Sequence, residues 1–360
     1  MKKRKKVICA MSGGVDSSVA AAILKKNGYD VIGVFMKFWK ESGKGRENLC
    51  CSAKARIDAK RVAIKLNIPF YVLDVQKEFK KRVVDYFINA YKKGNTPNPC
   101  VECNRWIKFR FLFEKMLELK ADYVTTGHYA RIGREIRNSK FEIRKLLVAR
   151  DKAKDQTYFL WTLNQKQLER ILFPIGDYKK EQVRRLAKKF GLLVYEKKDS
   201  QEICFIPDAD IRRFLKSRIH AEKGSIITTD GKKVGEHEGL IFYTIGQRKG
   251  IKIGGIGPFY VVKKDFKHNT LIVAQGDFDE ALYKREFTVS KTNWIDKPRK
   301  FPIRCNVKIR YLHKSAPATI FKIQNPKFKI VFDKPQRAIT PGQSAVFYKG
   351  NELLGGGIIE

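Results

Sequence analysis

The sequence has few cysteines and no long apolar run. Its apolar runs fall well short of the ~20 residues that a membrane-spanning helix needs. We therefore expect a soluble, cytoplasmic protein with no membrane partner. Seven cysteines in 360 residues are an odd number, which argues against a disulfide scaffold and favours metal or sulfur chemistry.

Acidic residues are scarce. The chain has 37 Asp and Glu against 75 Lys and Arg, which gives a formal net charge of +38. Because such an excess repels itself, we expect it to bind a polyanion, and nucleic acid is favoured over a membrane surface or a merely Lys-rich composition. A hydrophobic content of 43% excludes global disorder, and the length allows two or three domains.

The order of the patterns predicts the fold class. Buried-strand patterns at residues 31–36, 70–74 and 122–126 alternate with helical patterns, which predicts an α/β, doubly wound parallel sheet. A smaller β-rich region follows, and short alternating strands after Pro298 predict a C-terminal β-barrel. We place the domains at residues 1–205, 206–275 and 276–360.

A glycine loop, residues 11–18 (MSGGVDSS), lies between an apolar strand pattern and a helical pattern. Gly13 and Gly14 allow consecutive N–H groups to point at one anion, and the helix N-terminus adds partial positive charge. Asp16 can hold Mg²⁺. No Lys follows the glycines, so this is not the loop of P-loop NTPases. The loop predicts a phosphate site, and the alternative is a turn that only caps the helix.

The cysteines suggest where further chemistry lies. Cys100 and Cys103 form a CxxC in a proline-stiffened loop, and Cys204 comes much later. If these thiols meet beside the phosphate site, a thiolate can carry sulfur as a persulfide to an activated carbonyl carbon. The alternative is a structural zinc site. Its four ligands would be Cys50, Cys51, Cys100 and Cys103. We expect Cys9 and Cys305 to be core residues.

The glycine loop resembles the PP-loop of N-type ATP pyrophosphatases, and the whole chain resembles the bacterial tRNA-specific 2-thiouridylases. The matching segments run from start to end in family order. They include SGGVDSS (12–18), NTPNPCVECNRWIKF (95–109), GHYAR (127–131), KDQTYFL (154–160), KDSQEICFI (198–206), YTIGQRKG (243–250), RY (310–311) and TPGQSAVFY (340–348).

This resemblance implies ATP- and Mg²⁺-dependent 2-thiolation of the wobble uridine (position 34) of tRNA, by adenylation of the uracil O2 and sulfur transfer. The residues that would contact ATP are Ala10, Met11, Ser12, Gly13, Gly14, Val15, Asp16, Ser17, Met36 and Gly127.

The resemblance also implies the sulfur and RNA sites. Cys204 matches the residue that receives persulfide sulfur from a donor protein, and Cys103 matches the residue that attacks the persulfide. One chain per tRNA, a monomer, is the simple expectation. The residues that would contact tRNA are Asn98, Pro99, Cys100, Lys154, Asp155, Gln156, Arg310 and Tyr311.

One position departs from the family pattern. Cys100 stands where the family carries an Asp, the candidate acid/base for the uracil. Three thiols then become available, and a second hypothesis is a [4Fe–4S] cluster held by Cys100, Cys103 and Cys204. A more distant alternative is a PP-loop synthetase that acts on a small molecule.

Overall fold

The computed structural model describes residues 4–40, 52–137, 141–199, 203–206, 210–251, 253–254, 257–298, 300–324 and 327–360. Cys50 and Cys51, two ligands of the zinc alternative, lie outside the described residues. The first part of the chain contains β1 (Lys6–Ala10), α1 (Val15–Lys26), β2 (Asp30–Lys37), α2 (Ala53–Lys65), β3 (Phe70–Asp74), α3 (Gln76–Phe79), α4 (Asp85–Lys92), α5 (Pro99–Cys103), α6 (Phe109–Glu118) and β4 (Tyr123–Thr125).

The next part, residues 130–216, adds a hairpin and several short elements. These are β5 (Ala130–Arg137), β6 (Phe141–Val148), α7 (Gln165–Leu168), β7 (Ile171–Leu172), α8 (Lys180–Lys189) and α9 (Ile211–Lys216).

A five-stranded sheet forms the centre of the first domain, in the order β3-β2-β1-β4-β7, with every neighbouring pair parallel. Successive residues of β1 face opposite layers, as the pleat requires. Ile8 belongs to one hydrophobic cluster, while Val7 and Cys9 belong to another. The two clusters explain why the strand patterns are apolar throughout.

Two helices contain a π-helical turn. The first lies at Lys80–Val84, between α3 and α4. The second lies at Asn104–Lys108, between α5 and α6. Such turns are frequent at functional sites, and the second follows directly after the CxxC cysteines.

The central β-rich region is a four-stranded sheet in the order β10-β11-β8-β9. Its strands are β8 (Gly224–Thr228), β9 (Lys233–His237), β10 (Phe259–Asp265) and β11 (Thr270–Gln275). A small core that includes Leu271 and Val273 lies on one face of this sheet.

The C-terminal region is a closed barrel in the order β12-β15-β14-β13-β16-β17, with β12 pairing back to β17. Its strands are β12 (Tyr283–Trp294), β13 (Ile303–Lys308), β14 (Ala316–Gln324), β15 (Lys327–Arg337), β16 (Ser344–Lys349) and β17 (Glu352–Ile359). Cys305 lies in the barrel core. Parallel sheet, central β-rich domain and barrel confirm the predicted fold class.

The hairpin of β5 and β6 joins the barrel to the first domain. β6 pairs with β17 through Leu147 and Glu352, so the barrel sheet continues into the N-terminal half of the chain. Among the described residues, no helix is long and apolar enough to cross a bilayer. The domain limits proposed from sequence stay predictions.

Candidate nucleotide and thiol site

The glycine loop lies beyond the carboxyl end of β1, at the N-terminus of α1. Gly13 has φ of +72°, and a Cβ at this position would lie 2.2 Å from the carbonyl oxygen of Ala55 in α2. Gly14 is the N-cap and supplies no side-chain capping bond. The first N–H groups of α1 therefore remain suited to an anion, which is the requirement of a phosphate site.

The serines stabilise the loop from within. Ser17 Oγ accepts from the backbone N–H of Ser12 at 3.1 Å, and Ser18 Oγ donates to the carbonyl oxygen of Gly14 at 2.8 Å. Gly127, which follows β4, touches the start of α1, because a Cβ there would lie 2.6 Å from the nitrogen of Ser17. Met36 lies in β2 and is buried. All these residues sit at the carboxyl edge of one parallel sheet, where ligands bind in such folds.

Asp16 is held by ion pairs and hydrogen bonds. Lys180 Nζ lies 2.8 Å from each carboxylate oxygen, and Tyr129 donates its hydroxyl to Oδ1 at 2.8 Å. The same Lys180 amine lies 2.7 Å from Asp199. The glycine loop, which has no lysine of its own, thus receives one from α8.

A second lysine reaches the loop from a different direction. Lys197 Nζ donates to the carbonyl oxygen of Gly13 at 2.9 Å and to Asp58 Oδ2 at 2.7 Å. Lys197 and Asp199, which precede Cys204 in the chain, are therefore both fixed beside the glycine loop.

The thiol loop, residues 94–103, ends in α5. Asn98 is the N-cap, and its side-chain oxygen accepts from the backbone N–H groups of Cys100 (3.2 Å) and Val101 (3.4 Å). Pro99 occupies the first turn, where its missing N–H costs nothing. This cap leaves Cys100 half-buried and Cys103 buried.

The first half of the thiol loop is held by both other domains. Thr96 donates its N–H to the Pro341 carbonyl at 2.9 Å, and its own carbonyl accepts from Gln343 Nε2 at 2.8 Å. From the central domain, the Thr244 hydroxyl lies 3.1 Å from that of Thr96, and Lys264 Nζ donates to the Gly94 carbonyl. The thiol loop is therefore a junction of all three domains.

Cys103 and Cys204 contact one hydrophobic cluster. Cys103 is a member of the cluster, and Cys204 packs against it. Phe205 anchors the second segment, since it is 2% exposed and its ring centroid lies 5.5 Å from that of Phe87. The structure thus brings both segments to the same core.

The turn of Lys154, Asp155 and Gln156 is bonded to the protein itself. Lys154 Nζ lies 2.9 Å from Asp199, and Gln156 Oε1 accepts from the N–H of Tyr129 at 3.0 Å. Asp155 is buried, accepting from Ala149 N–H and the Thr157 hydroxyl; burial raises its pKa despite these bonds. The three side chains therefore build the turn.

Arg310 and Tyr311 have different surroundings. Arg310 Nη2 donates to the carbonyl of Ile245 at 3.1 Å and to the hydroxyl of Thr340 at 2.8 Å, joining the barrel to the central domain. Tyr311 is half-buried, with its ring centroid 4.4 Å from that of Phe159. Burial raises the pKa of Tyr311, with smaller effects from Asp155 and from Cys100.

The donor set does not fit the iron–sulfur hypothesis. Within the described residues, which include Cys100, Cys103 and Cys204, no three His, Cys, Asp or Glu side chains are grouped to hold a metal ion. Cys9 and Cys305 are buried in the sheet and the barrel, and burial raises the pKa of each thiol to about 12. Both are core residues, as predicted.

Sequence reasoning missed four residues around the glycine loop: Tyr129, Lys180, Lys197 and Asp199. Tyr129 lies in the motif GHYAR (127–131) and Asp199 in KDSQEICFI (198–206), so the resemblance could have identified both as site residues. Lys180 has no such signal, because it is one of several basic residues on α8 and only the tertiary structure selects it.

Three family models match consecutive parts of the chain and agree with this architecture. Residues 5–208 match the family described as the tRNA methyl transferase HUP domain, residues 212–275 its PRC-barrel domain, and residues 284–359 the aminomethyltransferase beta-barrel domain. A 4-thiouridine synthetase solved with RNA and ATP is similar at 19% identity and a TM-score of 0.35, covering 54% of this chain and 43% of that one.

Relatives match over the full length. A tRNA-specific 2-thiouridylase from Clostridioides difficile is 48% identical, covering 99% of this chain and 98% of the relative. One from Carboxydothermus hydrogenoformans is 47% identical, again covering 99% of this chain and 98% of the relative. The chain is an enzyme of the tRNA-specific 2-thiouridylase family.

Proposed function

We propose that this chain catalyses ATP-dependent 2-thiolation of the wobble uridine, position 34, of tRNA. One observation carries the proposal. Lys180 pairs with Asp16 in the glycine loop and with Asp199, so the anion site lies beside the part of the chain that precedes Cys204 in sequence.

The first step uses the glycine loop. N–H groups of residues 13–17 bind the phosphates, and Met36 and Gly127 line the nucleotide site with Ala10 and Met11. The uracil O2 attacks the α-phosphorus, pyrophosphate leaves, and AMP on O2 becomes a good leaving group. Asp16 would hold Mg²⁺ once Lys180 yields one carboxylate oxygen, and the ion would offset the phosphate charge.

The second step uses the two cysteines. A donor protein leaves Cys204 as a persulfide, and its outer sulfur attacks C2 of the uracil while AMP departs. The Cys103 thiolate attacks the inner sulfur of Cys204, so the S–S bond of the persulfide breaks and a Cys103–Cys204 disulfide forms. A thiol reductant supplies the two electrons that reset both thiols.

The third element is the RNA surface. A wobble base must leave its stack to reach a pocket, and phosphate contacts hold the anticodon loop in register. In the thiol loop, Asn98, Pro99 and Cys100 meet the base. The turn at 154–156 and the pair 310–311 support the anticodon loop. The net charge of +38 supplies long-range attraction for the tRNA.

The test is mass spectrometry of nucleosides after incubation of unmodified tRNA with ATP, Mg²⁺ and a persulfide sulfur donor. Wild type should form 2-thiouridine at the wobble position, and Cys103→Ser and Cys204→Ser should each lower its rate by at least ~10³-fold, the scale of removing a nucleophile. Cys305→Ser is the matched control, because this thiol is buried in the barrel. AMP release with a small acceptor and none with tRNA would support a small-molecule synthetase. Iron and labile sulfide in anaerobically purified protein would support the cluster.

A further inference from the structure

Asp199 accepts from three cations, two of them on α8 and one in the turn at 154–156. Lys180 Nζ lies 2.7 Å from Oδ1, Arg184 Nη2 3.0 Å from the same oxygen, and Lys154 Nζ 2.9 Å from Oδ2. The Asp199 side chain is 21% exposed, so these contacts are less screened than surface ion pairs. One carboxylate therefore offsets part of the charge of three clustered cations.

The cations connect Asp199 to the glycine loop, to the turn at 154–156 and to the residues that precede it. Lys180 also binds both oxygens of Asp16 in the glycine loop. Lys154 begins the turn at 154–156. Arg184, on α8, also donates to the carbonyls of Tyr195 (2.7 Å) and Lys197 (3.0 Å), which precede Asp199 on the same segment. The segment is thus fixed at this point by main-chain and ionic contacts.

Cys204 follows shortly after this point. On its other side, Phe205 is inserted in the core, with ring centroids 5.9 Å from Phe79 and 5.5 Å from Phe87. The apolar anchor depends on packing alone, whereas the ionic anchor depends on Lys180, which the glycine loop shares. Only the ionic anchor can respond to a charged ligand in the loop.

We propose that Asp199 is a positioning residue that couples the glycine loop to the Cys204 segment through Lys180. The inference rests on the proposed function for the roles of the loop and of Cys204. A nucleoside triphosphate in the glycine loop competes with Asp16 and Asp199 for the Lys180 amine. The Lys180 side chain is 11% exposed. Occupation of the loop then changes how Cys204 is presented.

Loss of the carboxylate should have a strong effect. Without it, the positive charges of Lys154, Lys180 and Arg184 would lie close together with less negative charge to offset them. Removing one partner from a partly buried group of charges lowers the free energy of unfolding. Although burial opposes it, hydrogen bonding from Lys180 and Lys154 keeps the pKa of Asp199 below its ordinary value. The group is thus ionised at neutral pH, where the test is made.

The experiment measures the alkylation rate of Cys204 by iodoacetamide, using peptide mass spectrometry on the full chain with and without Mg²⁺ and a non-hydrolysable ATP analogue. In wild type, the analogue should change the rate. In Asp199→Asn, Cys204 should react about fivefold or more faster, and the analogue should no longer change the rate, as expected for lost coupling.

The matched control is Asp122→Asn. Asp122 also accepts from a lysine side chain, Lys5 at 3.0 Å, and from a backbone N–H, Lys6 at 2.9 Å, but it lies at the opposite edge of the same sheet. In Asp122→Asn, the alkylation rate of Cys204 and its response to the ATP analogue should match those of wild type. Should Asp199→Asn fail to fold, Lys154→Gln removes one of the three cations and is expected to give a smaller acceleration.

Two results would overturn the inference: a wild-type Cys204 rate that the analogue leaves unchanged, or equal rates in wild type and the folded Asp199 or Lys154 variant. These results are separate from the fate of the proposed function. If wild type forms no 2-thiouridine while the Cys204 response appears as expected, only the proposed function fails. If wild type thiolates tRNA and the variants leave Cys204 unchanged, only the positioning role fails.

Discussion

The glycine loop and the thiol loop solve different problems of positioning. The glycine loop takes its shape from its own residues, because Gly13 provides the left-handed turn and Ser17 and Ser18 bond within the loop. The thiol loop takes its position from distant parts of the chain, since Thr96 is bonded to Pro341, Gln343 and Thr244.

The difference has a physical origin. Phosphate is bound by backbone N–H groups, which one turn and one helix N-terminus can orient. Thiols must be aligned with each other and with a base from outside, so they need support that no single segment provides. We therefore expect local substitutions to disable the glycine loop, and substitutions in the other domains to weaken the thiol loop.

The largest expected effect tests the local character of the glycine loop. Gly13→Ala combines a strained φ of +72° with a Cβ 2.2 Å from the Ala55 carbonyl oxygen. It should cost about 2–5 kcal/mol of folding free energy and abolish measurable ATP binding. Calorimetric titration with ATP and urea unfolding measure the two effects.

Gly28→Ala is the control for backbone strain alone. Gly28 has φ of +84°, and a Cβ there meets nothing within 4 Å. It should cost about 1–2 kcal/mol and leave ATP affinity unchanged. If both variants bind ATP as wild type does, ATP binding does not depend on the backbone conformation of the glycine loop. The contrast between a locally shaped glycine loop and a remotely supported thiol loop would then be wrong.

An intermediate effect tests the support from the barrel. Gln343→Ala removes the bond to the Thr96 carbonyl, so the thiol loop should shift slightly and kcat for thiolation should fall about tenfold, with the KM for ATP unchanged. Gln336→Ala is the control, because the Gln336 amide bonds to the nearby carbonyls of Lys334 and Pro335 within its own strand, β15. Equal kcat values in the two variants would contradict the barrel's role.

The smallest effect tests the support from the central domain. Lys264 Nζ donates to the carbonyls of Gly94 and Tyr243, and burial lowers its pKa to about 8. Between about pH 8 and the ordinary lysine value of 10.5, the unfolded chain binds more protons than the folded one. The free energy of unfolding should therefore rise with pH in this window, by about 2 kcal/mol.

Urea unfolding at pH 7.5 and pH 10 measures this slope. Lys264→Met should lose it, while Lys267→Met should keep it, because Lys267 is exposed on the same hairpin. A slope that persists in Lys264→Met would show that the titration belongs to another group, and the contact with Gly94 would then carry no pH dependence.

Much of the fold could be predicted from sequence, for identifiable reasons. Apolar runs at residues 7–10, 31–36 and 70–74 are too short for helices and are separated by helical patterns, so only a parallel sheet buries them. The closed barrel follows from short alternating strands. The π turn at Lys80–Val84 could not be predicted, because it changes the hydrogen bonding without a marked change in apolar spacing.

The candidate site was less predictable. Spacing and resemblance identified Cys103 and Cys204 as candidates. For Lys154, Asp155 and Gln156, the resemblance predicted tRNA contacts and did not indicate that their side chains bond to the protein itself. Arg310 likewise joins two domains in addition to its proposed role. Side-chain direction in loops depends on contacts with remote segments, which a pattern of residue types does not contain.

The sequence alone determined the glycine loop, because a left-handed glycine, its serines and the first turn of a helix are neighbours along the chain. It also determined that Cys9 and Cys305 are buried in strands, whereas Cys100 and Cys103, which the sequence placed in a loop, lie in α5 because Asn98 caps a short helix there. Only the tertiary structure decided that Lys180 serves the glycine loop, that Asp199 collects three cations, and that two other domains hold residues 94–97. Those contacts join residues far apart in the chain, and their geometry exists only after the sheet and the barrel have packed together.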